Sequence, residues 1–191
     1  MNWQTVSPET FALGESPFWH PQEQTLYWVD IPGKKILRAN VYMRTVETWD
    51  MPGEPGCIAP AAAGGLVIAL RHGIFRAPDW RGALLPITTL PYDPATVRAN
   101  DGKCDALGRF WVGTRDERPG GGGAAMYCID ARSGPAQVQQ MWDGASTLNG
   151  LAWSPEPNTL YSADTPTHRI EARDWSAADN RLGPARTLHQ F

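Results

Sequence analysis

Thr25-Leu26-Tyr27-Trp28-Val29-Asp30-Ile31 is a seven-residue run dominated by aromatic and β-branched residues, a composition suited to a pleated, half-buried strand. It has three counterparts: Gly65-Leu66-Val67-Ile68-Ala69-Leu70-Arg71, Gly108-Arg109-Phe110-Trp111-Val112-Gly113-Thr114 and Thr159-Leu160-Tyr161-Ser162-Ala163-Asp164-Thr165. With Trp28, Ile68, Trp111 and Ser162 taken as equivalent, the spacings are 40, 43 and 51 residues. A period of roughly 40 to 50 residues marks four-stranded units repeated around an axis. The pattern therefore predicts an all-β fold, a β-propeller with about four blades in this chain.

Working outward from each run, a short segment with a polar or small residue near its start comes first: Glu15 before Ser-Pro-Phe-Trp, Cys57 before Ile-Ala-Pro, Asn100-Asp101 before Gly-Lys-Cys, and Asn149 before Gly-Leu-Ala-Trp. These segments read as the innermost strands, whose polar residues converge on one axial point from distant sequence positions. Third strands are expected over 35–41, 73–77, 125–130 and 169–174. Outer strands are expected near 44–50, 83–88, 136–142 and 185–190. The blades then run roughly 8–52, 53–93, 94–144 and 145–191, in a single incomplete propeller domain covering 1–191. Trp3 to Val6 reads as a lone additional strand, and open sheet edges predict self-association through them.

Composition narrows the function. The 19 glycines and 17 prolines are roughly half again the usual share, which makes a turn-rich chain, while 42% apolar residues and nine tryptophans exclude disorder. Seventeen basic and 20 acidic residues give a net charge of −3 without charge blocks, so no nucleic-acid or membrane-surface partner is indicated and a small molecule is expected. Three cysteines without CxxC spacing suggest neither a disulfide framework nor a zinc cluster. The N-terminal residues lack the features of a signal peptide, and the longest apolar stretch, 58–70, is too short to span a bilayer. A cytoplasmic location is expected.

Taken alone, Glu15 reads as a solvated turn acid and Asn149-Gly150 as a turn pair; their place at the starts of innermost strands makes them site candidates. Asn100-Asp101-Gly102 would ordinarily be a hairpin turn, but its repeat register points it at the channel. Gly120 to Gly123 lacks the strand-to-helix context of a phosphate loop and reads as a loop beside the entrance, next to Glu117. His20, His72, His168 and His189 show no ligand spacing, the tryptophans read as packing, and Cys57 reads as a small buried thiol.

Leu13-Gly14-Glu15-Ser16-Pro17-Phe18-Trp19, Leu26 to Ile31, Arg98-Ala99-Asn100-Asp101-Gly102-Lys103, Gly108 to Thr114 and Asn149-Gly150-Leu151-Ala152-Trp153-Ser154 resemble, in order and rough spacing, the gluconolactonase/regucalcin (senescence marker protein) family. The resemblance implies a six-bladed propeller, of which this chain would be the N-terminal two-thirds. It also implies metal-dependent hydrolysis of a sugar lactone such as glucono-, galactono-, arabino- or xylonolactone to its sugar acid. Glu15 and Asn149 match protein ligands of one divalent cation (calcium, zinc, manganese, magnesium or iron). Arg98 and Asn100 match substrate contacts; Asp101 belongs to the same motif, and Glu117 is added as a substrate contact at the entrance. The family's general base is an aspartate in a Pro-Asp-Gly segment absent here, so it would lie beyond Phe191 and no catalytic residue is assigned. Two alternatives stay open: a non-enzymatic calcium- or divalent-metal-binding propeller, and an inactive truncated fragment.

Overall fold

The computed structural model describes residues 5–156 and 158–191. They form four antiparallel sheets, each wound from an innermost strand outward in chain order. The first holds β1 (Gly14–His20), β2 (Thr25–Asp30), β3 (Lys35–Asn40) and β4 (Thr45–Asp50). The second holds β5 (Pro55–Pro60), β6 (Leu66–Leu70), β7 (Gly73–Ala77) and β8 (Leu85–Thr88). The third holds β9 (Val97–Cys104), β10 (Phe110–Asp116), β11 (Ala124–Asp130) and β12 (Gln137–Ala145). The fourth holds β13 (Leu148–Trp153), β14 (Thr159–Asp164) and β15 (Arg169–Ser176), whose outer edge pairs with both β16 (Arg181–Leu182) and β17 (Arg186–Gln190). A single 3-10 turn, Thr165–Thr167, is the one helical element among the described residues.

Successive innermost strands pack on one another, β1 on β5, β5 on β9 and β9 on β13. This is the expected all-β propeller architecture. The predicted third and outer strands fall within three residues of β3, β4, β7, β8, β11, β12, β15 and β17 at either end. The predicted lone strand is not borne out where it can be followed: Thr5 and Val6 lie outside any strand, with no pairing partner among the described residues, and Trp3 and Gln4 lie outside the described residues.

Side-chain alternation explains why the sheets stack. In β10, Phe110 and Val112 join a core with Cys57, Ala69 and Ile74 of the second sheet, while Trp111 turns the other way into a core with Leu148, Leu160 and Trp175 of the fourth. A third core, with Val29, Ile36, Ile68 and Leu70, joins the first sheet to the second. A strand buried on both faces thus serves two interfaces at once, which its near-continuous apolar run allows. Trp111 lies within 5.6 Å of Trp153 and 6.1 Å of Trp175 in edge-on contacts, and its indole N–H donates to Asp105 at 2.9 Å.

Two glycines set how closely the innermost strands approach. A Cβ at Gly56 would come within 2.5 Å of the Ala99 backbone, and one at Gly102 within 2.4 Å of the Trp111 carbonyl oxygen and 2.5 Å of Cys57 Sγ. Cys57 itself is fully buried, a packing thiol as expected.

Candidate functional site

The repeat places four residues at one register. Glu15, Cys57, Gly102 and Asn149 pair respectively with Val29, Ala69, Val112 and Ala163 of the neighbouring strands. Beside each of them the pairing breaks. Ser16 and Pro17 together face Trp28, Gly56 is left over in β5, Asn100 and Asp101 together face Gly113, and Gly150 and Leu151 together face Ser162. Such bulges re-aim side chains that strict alternation would send to opposite faces. In β9 the bulge falls on the two polar residues Asn100 and Asp101, which explains how neighbours in sequence both take part in one site.

A continuous polar chain crosses the third and fourth sheets. Asn100 Nδ2 donates to Asn149 Oδ1 at 2.9 Å and to the Leu148 carbonyl at 3.0 Å. The Asn100 side-chain oxygen accepts from Arg98 Nη1 at 2.8 Å, and the same Nη1 donates to the Ala99 carbonyl at 2.9 Å. Arg98 Nε lies 3.4 Å from Glu117 Oε1. The other Glu117 oxygen accepts from Arg71 Nη2 at 2.8 Å, and Arg71 Nε pairs with Glu54. Asn149 Nδ2 donates to Thr165 Oγ1 at 2.7 Å. Arg98 and Asn100 are only 4% and 7% exposed, so these partners meet the requirement that buried polar groups be satisfied.

Glu15 and Asp101 make the acidic side of the cluster. Partial burial raises the Glu15 carboxyl above its ordinary value, and the Asp101 charge adds to this; the Ser16 backbone N–H and the Arg98 charge oppose it. Asp101 Oδ2 also accepts the Leu151 N–H at 3.1 Å, tying β9 to the bulge of β13. Burial, and then Asp101, pushes the Cys57 thiol well up, which keeps it protonated and unreactive.

All six residues singled out in the sequence, Glu15, Arg98, Asn100, Asp101, Glu117 and Asn149, are therefore coupled to one cluster by hydrogen bonds, ion pairs or charge. Arg71, Glu54 and Thr165 belong to it as well and had not been singled out. The fold makes their positions equivalent: Ile31, Arg71, Glu117 and Thr165 each donate a backbone N–H to the residue just before the adjacent innermost strand, to Leu13, Glu54, Thr96 and Thr147. Asp164 is structural, accepting the Ser146 and Thr147 N–H groups at 3.2 and 2.7 Å, as Asp30 accepts those of Ala12 and Leu13 at 3.2 and 3.0 Å.

In kind, the donors suit a hard divalent cation: the Glu15 carboxylate, the second lone pair of Asn149 Oδ1 and the nearby Asp101 carboxylate are all oxygens, and a cation would relieve the repulsion between the two acids. In number they are few, because no group of three or more His, Cys, Asp or Glu among the described residues is arranged to hold a metal. A cavity of about 740 Å³ lined by His20, Pro60, Cys104, Phe110 and Ile129 includes none of the cluster residues. No helix among the described residues is long and apolar enough to cross a membrane.

Comparison with known proteins adds the following. Residues 13–191 match the family model described as SMP-30/Gluconolactonase/LRE-like region. The 6-deoxy-6-sulfogluconolactonase of Pseudomonas putida is 36% identical over 181 residues, covering 94% of this chain and 60% of that protein. Regucalcin of Danio rerio is 32% identical over 190 residues, 98% of this chain and 63% of that protein. This chain thus spans about three-fifths of the length of these curated relatives. Among solved structures, the calcium-binding protein regucalcin from Agrobacterium tumefaciens superposes with a TM-score of 0.88 at 22% identity, over 96% of this chain and 61% of that one. A gluconolactonase from Xanthomonas campestris superposes at 0.76 with 24% identity, over 96% and 64%.

Proposed function

Given that the chain belongs to the SMP-30/gluconolactonase/LRE-like family, we propose that the cluster around Asn100 serves metal-dependent hydrolysis of a sugar lactone to its sugar acid. The observation that carries this reading is the hydrogen-bonded chain Asn149–Asn100–Arg98, buried at Asn100 and Arg98, with Glu15 and Asp101 beside it. The similarity to the 6-deoxy-6-sulfogluconolactonase supports the same class of substrate.

Glu15 and Asn149 would hold one divalent cation: calcium, zinc, manganese, magnesium or iron. A bound cation of this kind supplies Lewis acidity, polarising an ester carbonyl and acidifying water. The chain's own residues do the positioning. Arg98 offers a planar, permanently charged donor to ring hydroxyls or the carbonyl, and its guanidinium is fixed by Asn100 and Glu117. Asn100 orients the Asn149 amide so that its oxygen faces away from Thr165. Asp101 and Glu117 accept hydrogen bonds from the substrate's hydroxyls. No side chain of this chain is assigned as the general base that activates water.

Proton release from a panel of five- and six-membered aldonolactones, followed at constant pH with divalent cation added and then chelated, tests the reading. In a chain that includes the family's Pro-Asp-Gly segment, hydrolysis that stops on chelation is expected; no cation-dependent hydrolysis of any aldonolactone by that chain overturns it. A second reading, calcium or other divalent-cation binding without turnover, is favoured by the all-oxygen donor set and by how fully protein partners occupy Arg98 and Asn100. Tight calcium binding by calorimetry with no lactone turnover would select it.

A further inference from the structure

Building on the lactonase reading, we propose that the protein selects lactones carrying an anionic group remote from the ring ester, and that Arg115 recognises this group. Arg115 on β10 lies directly opposite Arg98 on β9. Opposed residues of an antiparallel pair share a face, so the Arg115 side chain emerges on the side where Arg98 meets Glu117.

The other guanidinium groups there are already engaged. Arg71 is paired with Glu54 and Glu117. Arg98 is bound to the Ala99 carbonyl and Asn100 and lies against Glu117. Two carboxylates thus serve two arginines and leave the third over. Arg115 is exposed, and among the described residues it makes neither a side-chain hydrogen bond nor an ion pair. Glu15 and Asp101, the remaining acids, are coupled to each other and to Arg98 or held by the Leu151 N–H.

Like charges directly opposite in a sheet repel. After burial, the Arg115 charge is the largest influence lowering the Arg98 guanidinium. Glu117 and Glu54 offset part of that repulsion at Arg98, but Arg115 itself has no carboxylate partner among the described residues, and a phosphate, sulfonate or carboxylate on the substrate would supply one. Guanidinium presents paired donors in a fork that matches such oxyanions, and the pairing is charge-assisted. A neutral polyol lactone offers Arg115 nothing comparable.

The test is calorimetric titration of the 191-residue chain with gluconate, 6-phosphogluconate and the corresponding 6-sulfonate, alongside lactone turnover. The two ligands with a second anionic group are expected to bind about tenfold more tightly than gluconate, the effect of one charge-assisted contact. That margin should shrink as salt is raised. Arg115→Gln should bring the ratio close to one, and Arg115→Lys should keep part of it. The size of the margin for phosphate against sulfonate shows which oxyanion the position prefers. Equal affinities in the unmodified protein, a ratio that survives Arg115→Gln, or no binding of any of the three overturns the proposal. Hydrolysis of neutral lactones with no preference removes only the anion selection. Preferential binding without hydrolysis of any lactone, in a chain that also includes the family's Pro-Asp-Gly segment, removes the lactonase reading and leaves the anion selection standing.

Discussion

Asn100 stands between Arg98 and Asn149, accepting from Arg98 Nη1 at 2.8 Å through its side-chain oxygen and donating through Nδ2 to Asn149 Oδ1 at 2.9 Å. One amide thus bridges the guanidinium proposed to face substrate and the amide proposed to face a cation. Asn100→Ala takes the side-chain donor from the Leu148 carbonyl and leaves Arg98 Nη1 with the Ala99 carbonyl alone. It should cost about 1–3 kcal/mol in urea unfolding and weaken cation binding by roughly tenfold, as loss of an orienting partner does. Unchanged cation affinity would show that Asn149 does not depend on Asn100.

Glu15 gives a prediction with a definite sign. Its carboxyl is raised above the ordinary 4.5 by burial and by Asp101, so the fold disfavours the charged form. The contribution to stability is present below about pH 4.5 and is lost as pH rises through the folded-state value. Without added cation, Glu15→Gln should therefore melt no lower than the unmodified protein at pH 7, and the difference should close toward pH 4. Added calcium or manganese should raise the melting temperature of the unmodified protein, by mass action, and leave Glu15→Gln unmoved. A cation-induced gain that persists in Glu15→Gln would remove Glu15 from the ligand set.

Gly102 faces a backbone that cannot retreat. A methyl group there would lie 2.4 Å from the Trp111 carbonyl oxygen and 2.5 Å from Cys57 Sγ. Gly102→Ala is expected to destabilise by about 1–3 kcal/mol in thermal unfolding. Adding Cys57→Ala removes only the sulfur contact, so the double variant should recover a part of the loss. Complete recovery would mean that the strands can separate at Trp111.

Asp105 anchors the turn between β9 and β10. Its buried carboxylate accepts from Leu107 N at 2.9 Å, Arg109 N at 3.0 Å, Arg109 Nε at 2.6 Å and Trp111 Nε1 at 2.9 Å. Asp105→Ala leaves the buried Arg109 uncompensated, for an expected loss of about 3–5 kcal/mol. Asp105→Leu combined with Arg109→Met should lose less than Asp105→Ala, because it removes both charges together. Chemical denaturation of the three proteins checks the order.

Much of the fold could be read from the runs at Trp28, Ile68, Trp111 and Ser162, because aromatic and β-branched residues in short segments at a regular period leave few other ways to bury an apolar surface. The strand at Trp3 to Val6 was read on the same local signal, yet Thr5 and Val6 are unpaired among the described residues; local propensity does not supply a hydrogen-bonding partner. Glu15 and Asn149 could be found because each lies second in an innermost strand; Asn100 was found on the same expectation but lies in the middle of β9, where a bulge brings it to the site. Arg71 and Glu54 were not, because a charged residue at a strand end looks like any solvated surface residue until its partner is known.

The sequence alone determined the all-β class, the repeat and the polar residues at the heads of the innermost strands, since these follow from side-chain chemistry and spacing along one chain. The tertiary structure decided which of them touch. Arg71 meets Glu117 across 46 residues of sequence, and Asn100 meets Asn149 across 49. Those contacts depend on how neighbouring sheets pack and on bulges that turn Asn100 and Asp101 away from simple alternation. Both arise from packing between sheets, which spacing along the chain does not encode.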